Sequence, residues 1–320
     1  MFTHTSGTQQ TLLIKTRYVS QRLLLCITIL CSFMCSAPAL SQTYTFTQSF
    51  AGPTYGVYHI DVLRAALRVT EEDYGAVTLE RHPFPMPQGR QILTLLRGES
   101  DIMWSVTTDE LEQQLLPVRF PLLQGLGGHR IFVINKDKQN AFGPGQTLDG
   151  IKLMTSVQGS DWPDTKILQY HDFTVASISW SDWYTTMYRS LEEGIIDYFP
   201  RNVVEVYRDL SYHNSDKLTI EQNHLIIYPS YEYFFVAPHA PELQQRLQDG
   251  LTRLLKSGEL AKIFNRYPEH RKAWDMVKKG KRVVHLLESN VLSYSFENPD
   301  WIEAPYALLN EISALQAQPL

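Results

Sequence analysis

The chain has 320 residues, 43% of them hydrophobic and 20% charged, with a formal net charge of −5. That length and apolar fraction suit one large or two medium domains with real cores. The acidic balance argues against nucleic acid or an anionic membrane surface as a partner, and no internal repeat or low-complexity tract is visible.

The first forty-one residues hold all three cysteines and read as a targeting segment. Lys15, Arg17 and Arg22 supply positive charge, Leu23 to Met34 is apolar, and Ala39 and Ser41 are small residues in alternation just before Gln42. Charge, apolar core and small residues in that order mark a secretory signal peptide. The apolar run is shorter than the roughly 20 residues of a membrane span. Export to the periplasm with cleavage after Ser41 is expected; a retained N-terminal anchor is the alternative. A lipid-modified cysteine does not fit, since Leu25, Leu30 and Met34 precede Cys26, Cys31 and Cys35. Cleavage would remove three basic and no acidic residues, taking the charge from −5 to −8 over 279 residues. No thiol would remain for a disulfide or a thiolate metal site.

Thr43 to Gln48 alternates polar and apolar residues and predicts a strand. Val57 to Val69 has helical apolar spacing, and Ala76 to Arg81 predicts a second strand. After three prolines, Arg90 to Arg97 predicts a short helix closed by Gly98, and Asp101 to Val106 a third strand. This β-α-β-α-β order implies parallel strands with crossover helices. The glycine-rich Leu122 to Gly128, followed by an Arg130 to Asn135 strand, is a natural place to change domains. A second half follows: a strand at Ile151 to Ser156, a helix from about Asp161, a helix at Asp182 to Gly194 and a strand at Ile195 to Phe199. A short helix at Arg201 to Tyr207 is next, then strands at Leu225 to Tyr228 and Tyr231 to Ala237. Two helices, Pro241 to Ser257 and Glu259 to Arg266, are split by Gly258. From about His270 the chain reads as helical in pieces with a polar tail. A returning segment that packs on the first half gives two lobes joined by two crossovers, with a ligand cleft between them.

Four stretches together resemble the family 3 extracellular (periplasmic) solute-binding proteins, receptors for polar amino acids and similar solutes. PELQQRLQDGLTRLLKSGELAKIFNRY resembles their closing helices. LLRGESDIMWSVTTDELEQQLLPVRFPLL, LDGIKLMTSVQGSDWPDT and SLEEGIIDYFPRN resemble, in turn, their first-lobe hydroxyl segment, their second-lobe strand with a glycine-hydroxyl loop, and their Gly-x-x-Asp strand entry. The resemblance covers most of Thr43 to Tyr267. It implies an α/β type II periplasmic-binding fold of two lobes with a two-strand hinge: residues 42–128 plus 230–320 as lobe 1 and 129–229 as lobe 2.

Gln158, Gly159, Ser160 and Asp161 lie between a strand and a helix start, where free N–H groups and the helix dipole favour an anion. In the family this loop holds the ligand carboxylate; the plain alternative is an N-cap by Ser160 or Asp161. Ser105, Thr107 and Thr108 stand where the family places hydroxyls against the ligand, preceded by Trp104. The family's arginine clamp is absent: Leu111 or Glu112 occupies its place, leaving Arg119 and Arg90 as nearby substitutes. Arg201 and Asn202 stand where amino-acid receptors carry an aspartate, which points to an anionic ligand, unless Arg201 pairs with Glu205 one turn on. Tyr55 or Tyr58 is the candidate stacking residue. Trp162, Trp180, Trp183 and Tyr184 make the second half aromatic, with Trp162 the best placed for a cleft.

The histidines are dispersed and lack metal-ligand spacing. No nucleophile elbow or phosphate-binding loop is present, so no metal or cofactor is expected. The reading is a non-enzymatic, monomeric, exported receptor that closes on a small polar, anionic ligand for uptake through a membrane permease of an ABC transporter. The alternatives are a sensory partner of a membrane signalling protein and a dehydratase-like enzyme using Glu193, Asp197 or Asp161.

Overall fold

The computed structural model describes residues 42–50, 55–179 and 183–317, with the side chains of Trp183 and Tyr184 outside that description. The targeting segment and Trp180 also lie outside the described residues. Residues 43–320 cluster as one compact unit.

The strands, in chain order, are β1 (Gln42–Phe46), β2 (Val77–Arg81), β3 (Ile102–Val106), β4 (Leu116–Val118), β5 (His129–Asn135), β6 (Ser156–Gly159), β7 (Val175–Ile178), β8 (Tyr198–Asn202), β9 (Leu218–Ile220), β10 (His224–Ile227), β11 (Glu232–Val236) and β12 (Val283–Leu286). They form two sheets. The first has the order β2-β1-β3-β11-β4, with β1 parallel to β3 and β11 antiparallel to both neighbours. The second runs β12-β10-β5-β8-β6-β7, and β9 also pairs with β5. In it β6 is parallel to β7 and β8, while β5 is antiparallel to β8, β9 and β10. Each sheet thus carries one antiparallel strand delivered from the other half of the chain: β11 into the first, β5 into the second. These are the two crossovers, and the α/β two-lobe architecture is the one expected.

The crossovers run backbone against backbone. A Cβ at Gly127 or Gly128 would collide with the carbonyl groups of Ser230 or Tyr228, which is the physical need behind the glycine-rich stretch before β5. The first lobe is closed by helix Val57–Val69, which buries Val62, Leu63 and Ala66, against the helix Pro241–Lys256, which buries Leu243, Leu247 and Leu251. Gly250 lets the two helices touch, since a Cβ there would sit 2.5 Å from the Ala66 carbonyl oxygen. The second lobe packs around Phe132, Phe142, Ile167 and Tyr198.

Local readings shifted in three places. Leu148–Leu153 is a helix, capped by the Thr147 hydroxyl accepting from Gly150 N–H at 3.1 Å, and the strand follows at Ser156–Gly159 instead of Ile151 to Ser156. The strand expected at Ile195 to Phe199 is Tyr198–Asn202, so Arg201 is on a strand and the helix begins at Val206. Within the 230–320 stretch grouped with lobe 1, β12 pairs in register with β10 in the second sheet.

Candidate functional site: a cleft between the lobes

An open cleft of about 830 Å³, mouth included, lies between the sheets. Its walls come from the carboxyl ends of β3, β6 and β8, and from the amino ends of the antiparallel β5 and β11. Strand ends of two sheets meeting this way are where open α/β folds bind ligands.

The first-lobe wall is aromatic: Phe50, Tyr55 and Trp104, with Ser105 beside them. Phe50 and Tyr55 meet edge to face at 5.0 Å, and the Trp104 ring lies parallel to His59 at 5.2 Å. Behind it, His59 Nε2 and a Glu232 carboxylate oxygen are 3.0 Å apart. Burial pushes the Glu232 pKa up, but His59 together with Arg208 and Arg130 outweighs it and holds the carboxyl below its ordinary range.

The second-lobe wall is built from guanidinium–carboxylate pairs. Arg201 donates to Asp209 at 2.6 and 2.9 Å and to Glu205 at 3.0 Å. Its guanidinium lies 5.3 Å from the Trp162 ring and 5.0 Å from that of Phe199. Arg208 donates to the other Asp209 oxygen at 3.0 and 3.2 Å and covers the Tyr55 ring at 5.3 Å, reaching across to the opposite lobe. Asp209 is fully buried; burial alone would raise its pKa, but Arg201 and Arg208 hold it below the usual range. At the hinge, Arg130 donates to Asp164 at 2.6 Å, to the Tyr228 hydroxyl at 2.9 Å and to the Gly127 carbonyl at 2.8 Å. Burial opposes its charge, yet the Asp164 carboxylate keeps its pKa raised.

Of the residues expected at the site, Trp104, Ser105, Gln158, Trp162, Arg201 and Asn202 line this cleft. Asn202 bonds the Leu126 and Gly127 carbonyls at 3.1 and 2.8 Å, tying β8 to the crossover. The others are elsewhere. Tyr58 is buried in the first-lobe core, its hydroxyl on the Leu122 carbonyl at 2.6 Å, and Tyr55 is the tyrosine that faces the cleft. Arg90 is exposed on helix Gln88–Leu96. Thr107 donates to Glu112 at 2.6 Å, and Arg119 pairs with that same carboxylate at 2.8 Å, so both belong to a buried knot. Thr108 caps the helix Asp109–Gln114.

Two amides of the glycine-hydroxyl loop are bonded within the second lobe. Ser160 N–H goes to the Ile178 carbonyl at 3.0 Å and Trp162 N–H to that of Gly159 at 3.1 Å. Ser160 is exposed and lines a separate groove with Asp161. Gly159 is there for packing: a Cβ would meet the Trp162 indole at 2.6 Å. The acids weighed for catalysis do not line the cleft either. Asp197 accepts from Lys138 at 2.7 Å and Thr155 N–H at 2.8 Å, and Glu193 is exposed.

Sequence reasoning missed Arg130, Asp164, Arg208 and Glu232. Arg208 carries the one local signal, since Glu205, Arg208 and Asp209 share a helix face at spacings of three and four. Among the described residues no group of three or more His, Cys, Asp or Glu is placed to hold a metal ion, and no helix is long and apolar enough to cross a membrane.

Comparison with solved structures places this architecture. A histidine kinase sensor domain similar to periplasmic binding proteins superposes with a TM-score of 0.53 at 14% identity, over 72% of this chain and 96% of that one. An ancestral arginine-binding protein bound to arginine gives 0.53 at 16%, over 71% and 98%. A protein described in glutathione import through GshT and the cystine ABC importer TcyBC of Streptococcus mutans gives 0.53 at 16%, over 71% and 95%. The chain has the two-lobed periplasmic-binding fold that these proteins share. No protein-family model matches the sequence, and no curated relative matches it significantly.

Proposed function

We propose that the protein is an exported, non-enzymatic receptor that closes its two lobes on a small polar ligand and presents it to a membrane partner. The observation that carries this is the cleft itself, with Trp104 and Tyr55 from one lobe facing Trp162, Arg201 and Arg208 from the other. Contacts to both lobes exist only in the closed state, so a ligand shifts the population toward closure.

The expectation of an anionic ligand rested on Arg201 and Asn202 standing where amino-acid receptors carry an aspartate, with the Arg201–Glu205 pair as its alternative. Three guanidiniums do line the cleft, but Arg130, Arg201 and Arg208 each face a carboxylate, and Glu232 adds another. The ligand class that suits such a wall is polar and near-neutral, a zwitterion or a hydrogen-bonding solute with a flat face for the aromatic side. The partner is a permease in the uptake reading. The likeness to a kinase sensor domain supports a signalling partner as the second reading.

A thermal-shift screen of zwitterions, neutral polar solutes and organic acids tests both class and function. A true ligand at 100 times its Kd should stabilise by about 2.7 kcal/mol. Shifts given by dianions alone would restore the anionic reading. No shift with any small solute would remove the receptor reading.

A further inference from the structure

We infer that the C-terminal segment from Val283 onward is a strap that ties the two lobes together and limits how far the cleft can open. Beyond the two crossovers the chain crosses twice more here, into the second lobe after the helix Pro268–Lys279 and back again after Glu288, and the return is anchored on both lobes within a few residues.

On the second lobe, β12 pairs along its whole length with β10, from His224↔Val283 to Ile227↔Leu286. The pairing is extended by Val283 N–H to the Asn223 carbonyl at 2.7 Å and Leu287 N–H to the Ile227 carbonyl at 2.9 Å. The His224 and His285 rings add a contact at 3.0 Å. Leu287 is buried in the same core as Phe132 and Tyr228. The Glu288 carbonyl is bonded by His171, at the end of the helix Pro163–Tyr170, at 2.9 Å.

Three residues further on, the backbone reaches the first lobe while the Val291 side chain still packs on the second-lobe core. The Val291 carbonyl accepts from Asp109 N–H at 2.9 Å, and Ser293 donates to the Asp109 carboxylate at 3.0 and 3.1 Å. Tyr294 then bonds Glu112 at 2.6 Å, Phe296 N–H bonds the Tyr231 hydroxyl at 2.9 Å, and the buried Trp301 bonds the Pro121 carbonyl at 2.8 Å. Only Ser289 and Asn290 lie between the Glu288 and Val291 anchors, and the three Cα–Cα steps reach no more than about 11 Å when fully extended. Lobe separation at this edge is held within that reach unless an anchor breaks. The ion pair Glu110–Lys166, at 3.1 Å, joins the same two helices that Asp109 and His171 flank, so both ties lie at one edge between the lobes.

The experiment lengthens the span and keeps both anchors. Eight glycine and serine residues are inserted between Ser289 and Asn290. Spin labels are placed at Glu99→Cys and Leu153→Cys, both exposed, one on each lobe, in the full chain with Cys26, Cys31 and Cys35 changed to serine. Pulsed dipolar spectroscopy on the unliganded protein reads the inter-lobe distance, so the test is independent of any ligand. The native span should give one narrow, short distance, and the insertion a second, longer population. Identical distributions would overturn the strap. Should the insertion fail to unfold cooperatively, a four-residue glycine and serine insertion at the same point lengthens the span with less added chain and leaves every anchor in place. It should give a longer population of intermediate distance, and its absence would equally overturn the inference.

Discussion

The two walls of the cleft differ in how they are held. The first-lobe wall is a stack of rings, with Trp104 on His59 and Tyr55 on Phe50. The second-lobe wall is a set of charges that compensate one another through the buried Asp209. Rings are held by packing and tolerate a change in ligand charge. A buried ion network is held by mutual pairing, and breaking one member leaves the rest uncompensated. One wall therefore supplies shape, and the other supplies a fixed pattern of donors and acceptors whose integrity is also a matter of stability.

The sharpest way to break this contrast is Asp209→Ala. It removes the carboxylate that two guanidiniums share, leaving Glu205 as the nearest remaining acid for both, and should cost about 3–5 kcal/mol in urea denaturation. A loss under 1 kcal/mol would mean that Arg201 and Arg208 find other partners, and the wall would not be a single network. Acid separates the walls next. His270, packed behind Tyr58 and Phe264 on the first-lobe side, has its pKa lowered to about 3, chiefly by burial. The folded state therefore binds fewer protons than the unfolded state between about pH 6.5 and 3, and stability falls as pH drops through that window. His129, lowered to about 4 by burial, acts in the same direction. The Asp209 pKa is also lowered, so its contribution is present above the ordinary carboxylate range and is lost only below it. His270→Gln should flatten the pH 6 to 4 limb of the stability curve and leave the steeper loss below pH 4 in place. An unchanged upper limb would remove His270 as its cause.

How much of this was readable in the sequence follows from how local each feature is. The helices Pro241–Lys256 and Glu259–Asn265 were legible because their apolar spacing is regular and Gly258, at φ +72°, punctuates them. The Arg201–Glu205 pair was legible as a spacing of four residues. The helix Leu148–Leu153 was not, because a short apolar run fits strand or helix and the Thr147 cap decides it. Arg130 was beyond reach, since its partners Asp164 and Tyr228 lie 34 and 98 residues away and only the topology brings them together. β12 was hidden for the same reason: its four residues become a strand by pairing with β10, 59 residues earlier at His224↔Val283.

Two smaller effects refine the comparison. Tyr55→Ala removes the ring contact to Phe50 and the guanidinium face of Arg208, and should cost about 1 kcal/mol of stability. Its effect on the thermal shift given by a bound ligand should be the larger one, because Tyr55 faces the cleft. A variant that loses stability and keeps the full shift would make Tyr55 a packing residue alone. Smallest is Lys166→Ala, in the separate groove that Ser160 and Asp161 line. The Glu110–Lys166 pair is exposed on both sides, and an exposed pair contributes well under 1 kcal/mol. Its removal should leave the denaturation midpoint unchanged within error. If the strap and not this ion pair holds the lobes at the edge they share, the inter-lobe distance measured by spin labels should also stay where it is in Lys166→Ala. A longer distance in this variant would transfer the role from the backbone anchors of Glu288 and Val291 to a single surface ion pair.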